Sequence, residues 1–531
     1  MTRIAQHDFS RSPQALIPRT KFNRTHTHKT TFNAGQLIPI YVDEALPGDT
    51  FSCNVTFFGR ISTLLFPIMD NLHVDLHFFF CPTRLVWEHW ENFNGANIPD
   101  TDSSTDYVLP TITSGVGGYA TSSIYDYMGL PTLVADVTTT SLPLRCYYQI
   151  YNDWYRDQNY NDMVTVPIDD GPDVPGDFTL LFRNKRYDYF TSSLPFPQKG
   201  PAVTIPLVGN APVKGIGFST TTSYSATSPS VVDSAGDVSV YADYTTNLAT
   251  TDHWYVNANA SGVMGYDVQP GIFADLSGVA ATTINALRLA ATTQQIYEQD
   301  ARGGTRYTEV IRSHFGIISP DQRLQRAEFL NSSTHRVQVT PVAQTSGSGI
   351  ASQSTPQANL SAFGTFLANG GFTYSFQEHG YVFGIASVRA DYTYWQGAER
   401  FWFRSARFDF YWPTFANIGE QAVLNQEIYC QGNSTDQEVF GYQEYAADYR
   451  FKPARLSGLF RPNATHTLSA WHLAQDFGSL PVLGDDFIQE NPPMSRIEAV
   501  TSYADFIADT HIQLVCARPM PMFSVPGIRR L

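Results

Sequence analysis

Residues 51–58, FSCNVTFF, constrain the fold of this chain more than any other stretch. Phe51, Cys53, Val55 and Phe57 alternate with Ser52, Asn54 and Thr56. A period of two places one set on each face of a strand, so this segment belongs in a sheet with one buried and one wet face. Val74, Leu76, Phe78 and Phe80 alternate in the same way, interleaved with Asp75 and His77. Further strands are expected over 381–388 (YVFGIASV), over 392–394, near 445, and at Ile512, Leu514 and Cys516.

These strands lie far apart along the chain, and no regular strand–helix alternation joins them. That argues against a doubly wound parallel sheet and for an antiparallel sandwich linked by long excursions. Loops of that length are unusual in compact domains and normally carry function. Helices are few. One is expected from Ile284, Leu287 and Ala291 to the stop at Gly303 and Gly304, a second over 307–314, and a third within 144–155. The aromatic clusters at 392–395 and 401–412 read as sandwich core, with part of them lining seams between subunits as the alternative.

Of the 531 residues 14% are aromatic and only 16% are charged. The charged share lies below the roughly 25% of ordinary soluble domains, which suits β structure and extensive protein contact. No apolar run approaches the ~20 residues that span a bilayer, and MTRIAQHDFSRSPQ lacks a secretory core. The chain is therefore expected to stay in the cytosol where it is made. Its five cysteines, Cys53, Cys81, Cys146, Cys430 and Cys516, are scattered and without ligand spacing. They are expected to be buried free thiols rather than disulfides or a zinc site.

Charge is divided unevenly. Residues 1–31 hold Arg3, Arg11, Arg19, Lys21, Arg24 and Lys29 against Asp8 alone, a net +5, so the rest of a chain of net −15 carries −20. Pro13, Pro18 and the missing apolar period make 1–31 an extended basic arm. At the other end Arg518, Arg529 and Arg530 follow the last acid, Asp509. Residues 209–282 differ again, with Lys214 as the one Lys or Arg, six Asp, no Glu, and dense Thr, Ser, Ala and Gly. They read as an inserted, outward-facing subdomain within the large domain of 32–531.

Several strings together are more specific than any of these features. HKTTFNAGQLIPIYVDEALPGDTF (28–51), FPIMDNLHVDLHFFFCP (66–82), YFTSSLPFPQKGPAV (189–203), ARGGTRYTEVIRSHFG (301–316), HGYVFGIASVRADYTYWQG (379–397), RFDFYWPTFANIGEQAVLNQEIY (407–429), FGYQEYAADYRFKPARLSG (440–458), WHLAQDF (471–477) and CARPMPMFSVPG (516–527) run nearly end to end. In these stretches the chain resembles the major capsid proteins of the Microviridae, in the gokushovirus branch of single-stranded-DNA phages. The resemblance implies an eight-stranded antiparallel jelly roll with long inserted loops and a few short helices. It implies self-assembly of 60 copies into a T=1 icosahedral shell around circular single-stranded DNA, and residence in the virion after assembly in the host bacterial cytoplasm. It implies contacts with an internal scaffolding protein, a small basic DNA-binding protein and a pilot protein. It also places 209–282 where this branch carries a variable threefold protrusion, which would present the shell to a host surface receptor.

The candidate nucleic-acid contacts are Arg3, Arg11, Arg19, Lys21, Arg24, Lys29, Arg529 and Arg530. Cations on a flexible segment can follow an irregular phosphate backbone and gain by counterion release. Phe9 and Phe22 could stack on unpaired bases. The competing reading of the arm is a strap beneath a neighbouring subunit. An acidic wall around DNA is tolerable if its acids lie outside or at seams, because screening acts over roughly 10 Å. No catalytic residue, cofactor or metal is expected: His26 and His28 are too few for a site, and the pairs Asp169–Asp170 and Asp485–Asp486 read as solvated loop acids. A β-sandwich that binds or cleaves carbohydrate is the rival reading, motivated by the many Tyr and Trp residues.

Overall fold

The computed structural model describes residues 18–94, 107–201, 203, 284–303, 313, 325–350, 353–355 and 357–523, together with short strands between 213 and 274. The chain divides into two compact units, one of residues 1–197 with 301–531 and one of residues 198–300.

Ten strands of the larger unit form two antiparallel sheets: β1 Thr20–Asn23, β2 His26–Phe32, β3 Ile38–Ala45, β4 Thr50–Ile61, β5 Leu72–Pro82, β6 Glu328–Arg336, β7 Gln338–Ala343, β8 Leu360–Ser375, β9 Gly380–Ala390 and β10 Phe506–Arg518. In the six-stranded sheet β1 and β2 both pair with β10, followed by β4, β8 and β7; the four-stranded sheet runs β6-β5-β9-β3. Because β1 and β2 lie along successive parts of β10, they are one edge run broken at Arg24 and Thr25. β6 and β7 are likewise one run, which leaves β5 and joins β8 on either side of Val337. Eight continuous runs of chain thus build both sheets. The protein is mainly β, antiparallel and sparing in helix, as expected from its sequence.

The difference between the sheets follows from what covers them. β4 and β10 alternate between buried and exposed or half-buried residues over most of their length, because only one face of their sheet meets the core. β5 and β9 are buried almost throughout. Their inner residues, such as Val74, Leu76, Phe78 and Val388, share a core with Phe51, Cys53, Val55 and Ile512 of the facing sheet. Their outer residues Phe79, Cys81, Phe383 and Ile385 pack beneath helix α1, Leu142–Ile150. Four rings from four strands anchor the inner core: Phe32 lies 5.1 Å from Phe506, and Phe57 lies 5.3 Å from Phe366. Each buried ring is worth roughly 1.5–3 kcal/mol in removed apolar surface.

Two of the expected helices form, α1 and α2, Ile284–Gly303. The one expected over 307–314 lies outside the described residues, apart from Ser313. In the smaller unit the described residues include a three-stranded sheet of Val238–Ser239, Ser230–Val232 and Tyr255–Asn257, and Val213–Lys214 paired with Phe273–Ala274.

Three expectations are corrected. Residues 392–394 form no strand; Tyr394 makes one isolated bridge to Gln475 and packs on a separate apolar cluster, while Tyr392 packs against the sandwich core from its loop. The strand near 445, Val439–Glu444, pairs with Glu420–Leu424 in a separate hairpin and is not part of the sandwich. Four of the cysteines are buried, but Cys430 is exposed on a loop, its Sγ 3.5 Å from Asp436 Oδ2.

Candidate assembly and nucleic-acid surfaces

Of the eight cations expected to contact nucleic acid, Arg3, Arg11, Arg529 and Arg530 lie outside the described residues. The other four lie on or beside one sheet edge. From Thr20 onward the basic segment is the edge run of the six-stranded sheet, because pairing with β10 satisfies its backbone polar groups. Arg19 donates from Nη2 to Thr50 Oγ1 at 2.8 Å. Arg24 pairs with Asp43, and Lys29 Nζ lies 3.2 Å from Asp509 Oδ2. Lys21 is exposed and has no ion-pair partner among the described residues. His26 and His28 turn to different carbonyls, those of Arg24 and Ile40, so they do not converge on a metal. Among the described residues no group of three His, Cys, Asp or Glu is placed to hold one.

Reading along the sequence missed Arg60. The alternation that begins at Phe51 continues to Ile61, and it turns Phe58 and Arg60 to the exposed face. The signal was present two residues past the stretch used to infer the strand.

The largest departure from expectation concerns residues 401–412, read as core. Phe401, Trp402, Phe408, Phe410, Tyr411 and Trp412 are all exposed, Trp402 at 68% and Phe408 at 63%. This segment passes through short 3-10 turns and contributes to neither sheet. Its rings meet one another and nearby cations instead. Phe401 and Trp402 are 4.7 Å apart, Phe408 packs edge-on to Phe415, and Tyr411 lies 6.0 Å from Tyr449. The Arg404 guanidinium stands 4.3 Å from the Tyr449 ring, and Arg407 stands 4.8 Å from Trp412. Arg404, Arg450 and Lys452 are also paired with Asp448, Glu444 and Glu399. The result is an aromatic field whose charges largely cancel.

Many acids of the body are structural. Asp75, at the centre of β5, accepts hydrogen bonds from Arg183 (2.6 Å), Arg389 (3.0 Å) and the Thr334 hydroxyl (2.7 Å). Burial alone would raise its pKa, but the two guanidinium groups and the hydroxyl outweigh it and hold the carboxyl at about 2. Asp173 grips the fully buried Arg145 of α1 with both oxygens, at 2.7 and 2.6 Å, and Asp169 completes that cluster. Asp170 Oδ1 accepts from Trp87 and sits 2.9 Å from His89 Nδ1. Asp485 accepts from the Asn161 amide. Of the paired acids flagged in the sequence, Asp169, Asp170 and Asp485 thus bond neighbouring loop groups while staying largely exposed.

Comparison with known proteins agrees with this arrangement. The family described as capsid protein (F protein) matches residues 10–528, almost the whole chain. The chain belongs to this phage capsid protein family. Capsid protein VP1 of Bdellovibrio phage phiMH2K is 45% identical over 535 residues, covering 99% of this chain and 98% of its own length. Capsid protein VP1 of Chlamydia phage 1 is 42% identical over 593 residues, with the same coverage. Capsid protein VP1 of Spiroplasma virus 4 is 36% identical over 544 residues, again covering 99% and 98%. The resemblance to Microviridae capsid proteins is therefore borne out. As a member of the capsid protein family the chain is a structural, self-assembling virion component and not an enzyme, and the carbohydrate-active alternative falls. Among the described residues no helix is long and apolar enough to cross a membrane.

Proposed function

We propose that this capsid protein builds a closed T=1 shell of 60 copies around a circular single-stranded DNA genome, with the eight runs of its sandwich forming a jelly-roll wall. The observation that carries the reading is the exposed aromatic field of 401–412. Monomeric proteins rarely leave so large an apolar patch in water, and aromatics and Arg are the residues enriched where subunits meet. Contacts repeated around rotation axes close a particle, whereas a single isologous patch stops at a dimer.

In this reading the cationic ends, Arg3 to Lys29 and Arg529 with Arg530, face the genome, and residues 209–282 face outward and meet a host surface receptor. The shell forms in the host bacterial cytoplasm with an internal scaffolding protein, a small basic DNA-binding protein and a pilot protein. The internal pairing of acids such as Asp75 and Asp173 supports it, since those charges are neutralised locally and do not repel DNA. Changing Trp402 and Phe408 to Ser tests the seam. The folded chain is expected to stay unassembled by electron microscopy; normal particles from this variant would contradict the role given to the aromatic field.

A further inference from the structure

The six-stranded sheet presents a surface with the opposite character to the aromatic field. We propose that its solvent-facing side binds single-stranded nucleic acid, with Lys21, Lys29 and Arg60 taking phosphates and Phe58 taking a base. This rests on the shell-around-DNA reading and assigns its contact residues.

Register fixes the geometry. Lys29 lies opposite Asp509, Asp509 opposite Phe58, and Phe58 opposite Leu367, so one row crosses four strands. In the next outward row Thr31 faces Ile507, which faces Arg60. Successive outward positions on a strand lie about 7 Å apart, within reach of Lys and Arg side chains. Lys21 extends the cationic edge along β1.

Charge selects the partner. On the outward face of these strands Asp509 is the one carboxylate among the described residues, against three cations, in a chain of net −15. Lys21 and Arg60 have no ion-pair partner among the described residues, and the Lys29–Asp509 pair is exposed on both sides, at 74% and 48%. An exposed pair of this kind contributes little and exchanges readily for a phosphate. A cleft of about 460 Å³ opens beside Phe58, bordered by Lys29 and Arg60. Its second carboxylate, Asp126, already accepts from the Ser122 amide. Phe58 is 46% exposed, beside the exposed Leu367 and Ile507 and between Lys29 and Arg60. An exposed ring flanked by cations on a sheet face is a stacking platform for an unpaired base, and a paired duplex would not offer that base face. Around Trp402 the cations are mostly answered by carboxylates, so that field suits another protein surface and this one suits a polyanion.

The test uses full-length subunits dissociated from particles and a fluorescein-labelled 20-residue oligo(dT), read by anisotropy across a salt series. Arg60→Ala and Lys21→Ala are each expected to lower the salt slope by about 0.7, the share of one single-strand phosphate contact. Phe58→Ser is expected to weaken binding about tenfold with the slope unchanged, as loss of one stacked base does. Unchanged thermal midpoints confirm that the exposed substitutions leave the fold intact. If wild type binds and all three variants match it, the sheet face is overturned while the genome-contact reading stands. If wild type fails to bind at low salt, both are overturned.

Discussion

Lys29 and Asp509 face each other across the first and last strand runs of the sandwich, Nζ 3.2 Å from Oδ2. The pair marks where the two ends of the chain are stitched together. It is too exposed to add much stability, worth roughly 0–1 kcal/mol, but the backbone ladder around it is extensive. From Thr20 to Phe32 the N-terminal basic segment is therefore a structural edge, whereas residues 1–17 lie outside the described residues.

That division sets the outcome of truncation. Removing residues 1–17 is expected to leave the melting temperature unchanged and to lower the salt slope of single-stranded DNA binding by up to about 1.4, for Arg3 and Arg11. Removing residues 1–31 instead strips β1 and nearly all of β2 from β10, and is expected to give aggregated protein. Calorimetry and sedimentation of the two truncations distinguish these outcomes; equal stability would show that the edge run is dispensable.

Asp75→Asn is expected to destabilise the protein by about 3–5 kcal/mol, because Arg183 and Arg389 would keep their buried charges without the carboxylate. The wild-type carboxyl is held at about 2, below its ordinary 3.8. Its contribution is thus fully present above about pH 3.8 and is lost as pH falls through 2. Denaturant midpoints at pH 7 and pH 2 check both statements. The variant should lose most of its disadvantage at the acid end.

Glu498 shows the opposite sign. It is 4% exposed, its Oε1 has no hydrogen-bond partner among the described residues, and burial together with the nearby Asp505 pushes its pKa up to about 8 from 4.5. Wild-type stability from this group is full below pH 4.5 and is lost as pH rises through 8. Glu498→Gln is expected to match wild type at pH 4 and to exceed it by roughly 2 kcal/mol at pH 8.5. Thermal melts across that range check it, and a variant less stable at both pH values would refute it.

Gly59 shows why part of the fold was hidden in the sequence. A Cβ added there would fall within the Phe366 ring, so glycine supplies the hollow that a phenylalanine fills. Gly59→Ala is expected to cost about 1–3 kcal/mol by overpacking, and Phe366→Leu in the same chain should recover part of it; urea midpoints of the single and double variants decide. The same use of small residues conceals β8, the longest strand. Its inward positions include Ala362, Gly364 and Ala368, which carry no hydrophobic periodicity although they line the core. β4 and β10 were legible because their inward residues are large and their outward ones polar. β5 was legible by its alternation and β9 as the stretch 381–388, but that α1 covers their outer face and buries both sides is a property of the packed chain.

The candidate surfaces divide in the same way. The cations of the edge run were legible as charge, whereas their place on a sheet face beside Phe58 and Arg60 required the register. The aromatics of 401–412 were misread because composition alone does not distinguish a core from a seam. Both bury rings, and the seam does so only when a second copy arrives.

The most direct test of the account is the mass of the assembled particle, by light scattering or native mass spectrometry. Sixty chains of 59.2 kDa predict one uniform species of about 3.6 MDa before any DNA is counted. A solution of single chains, or a polydisperse series of open assemblies, would contradict it.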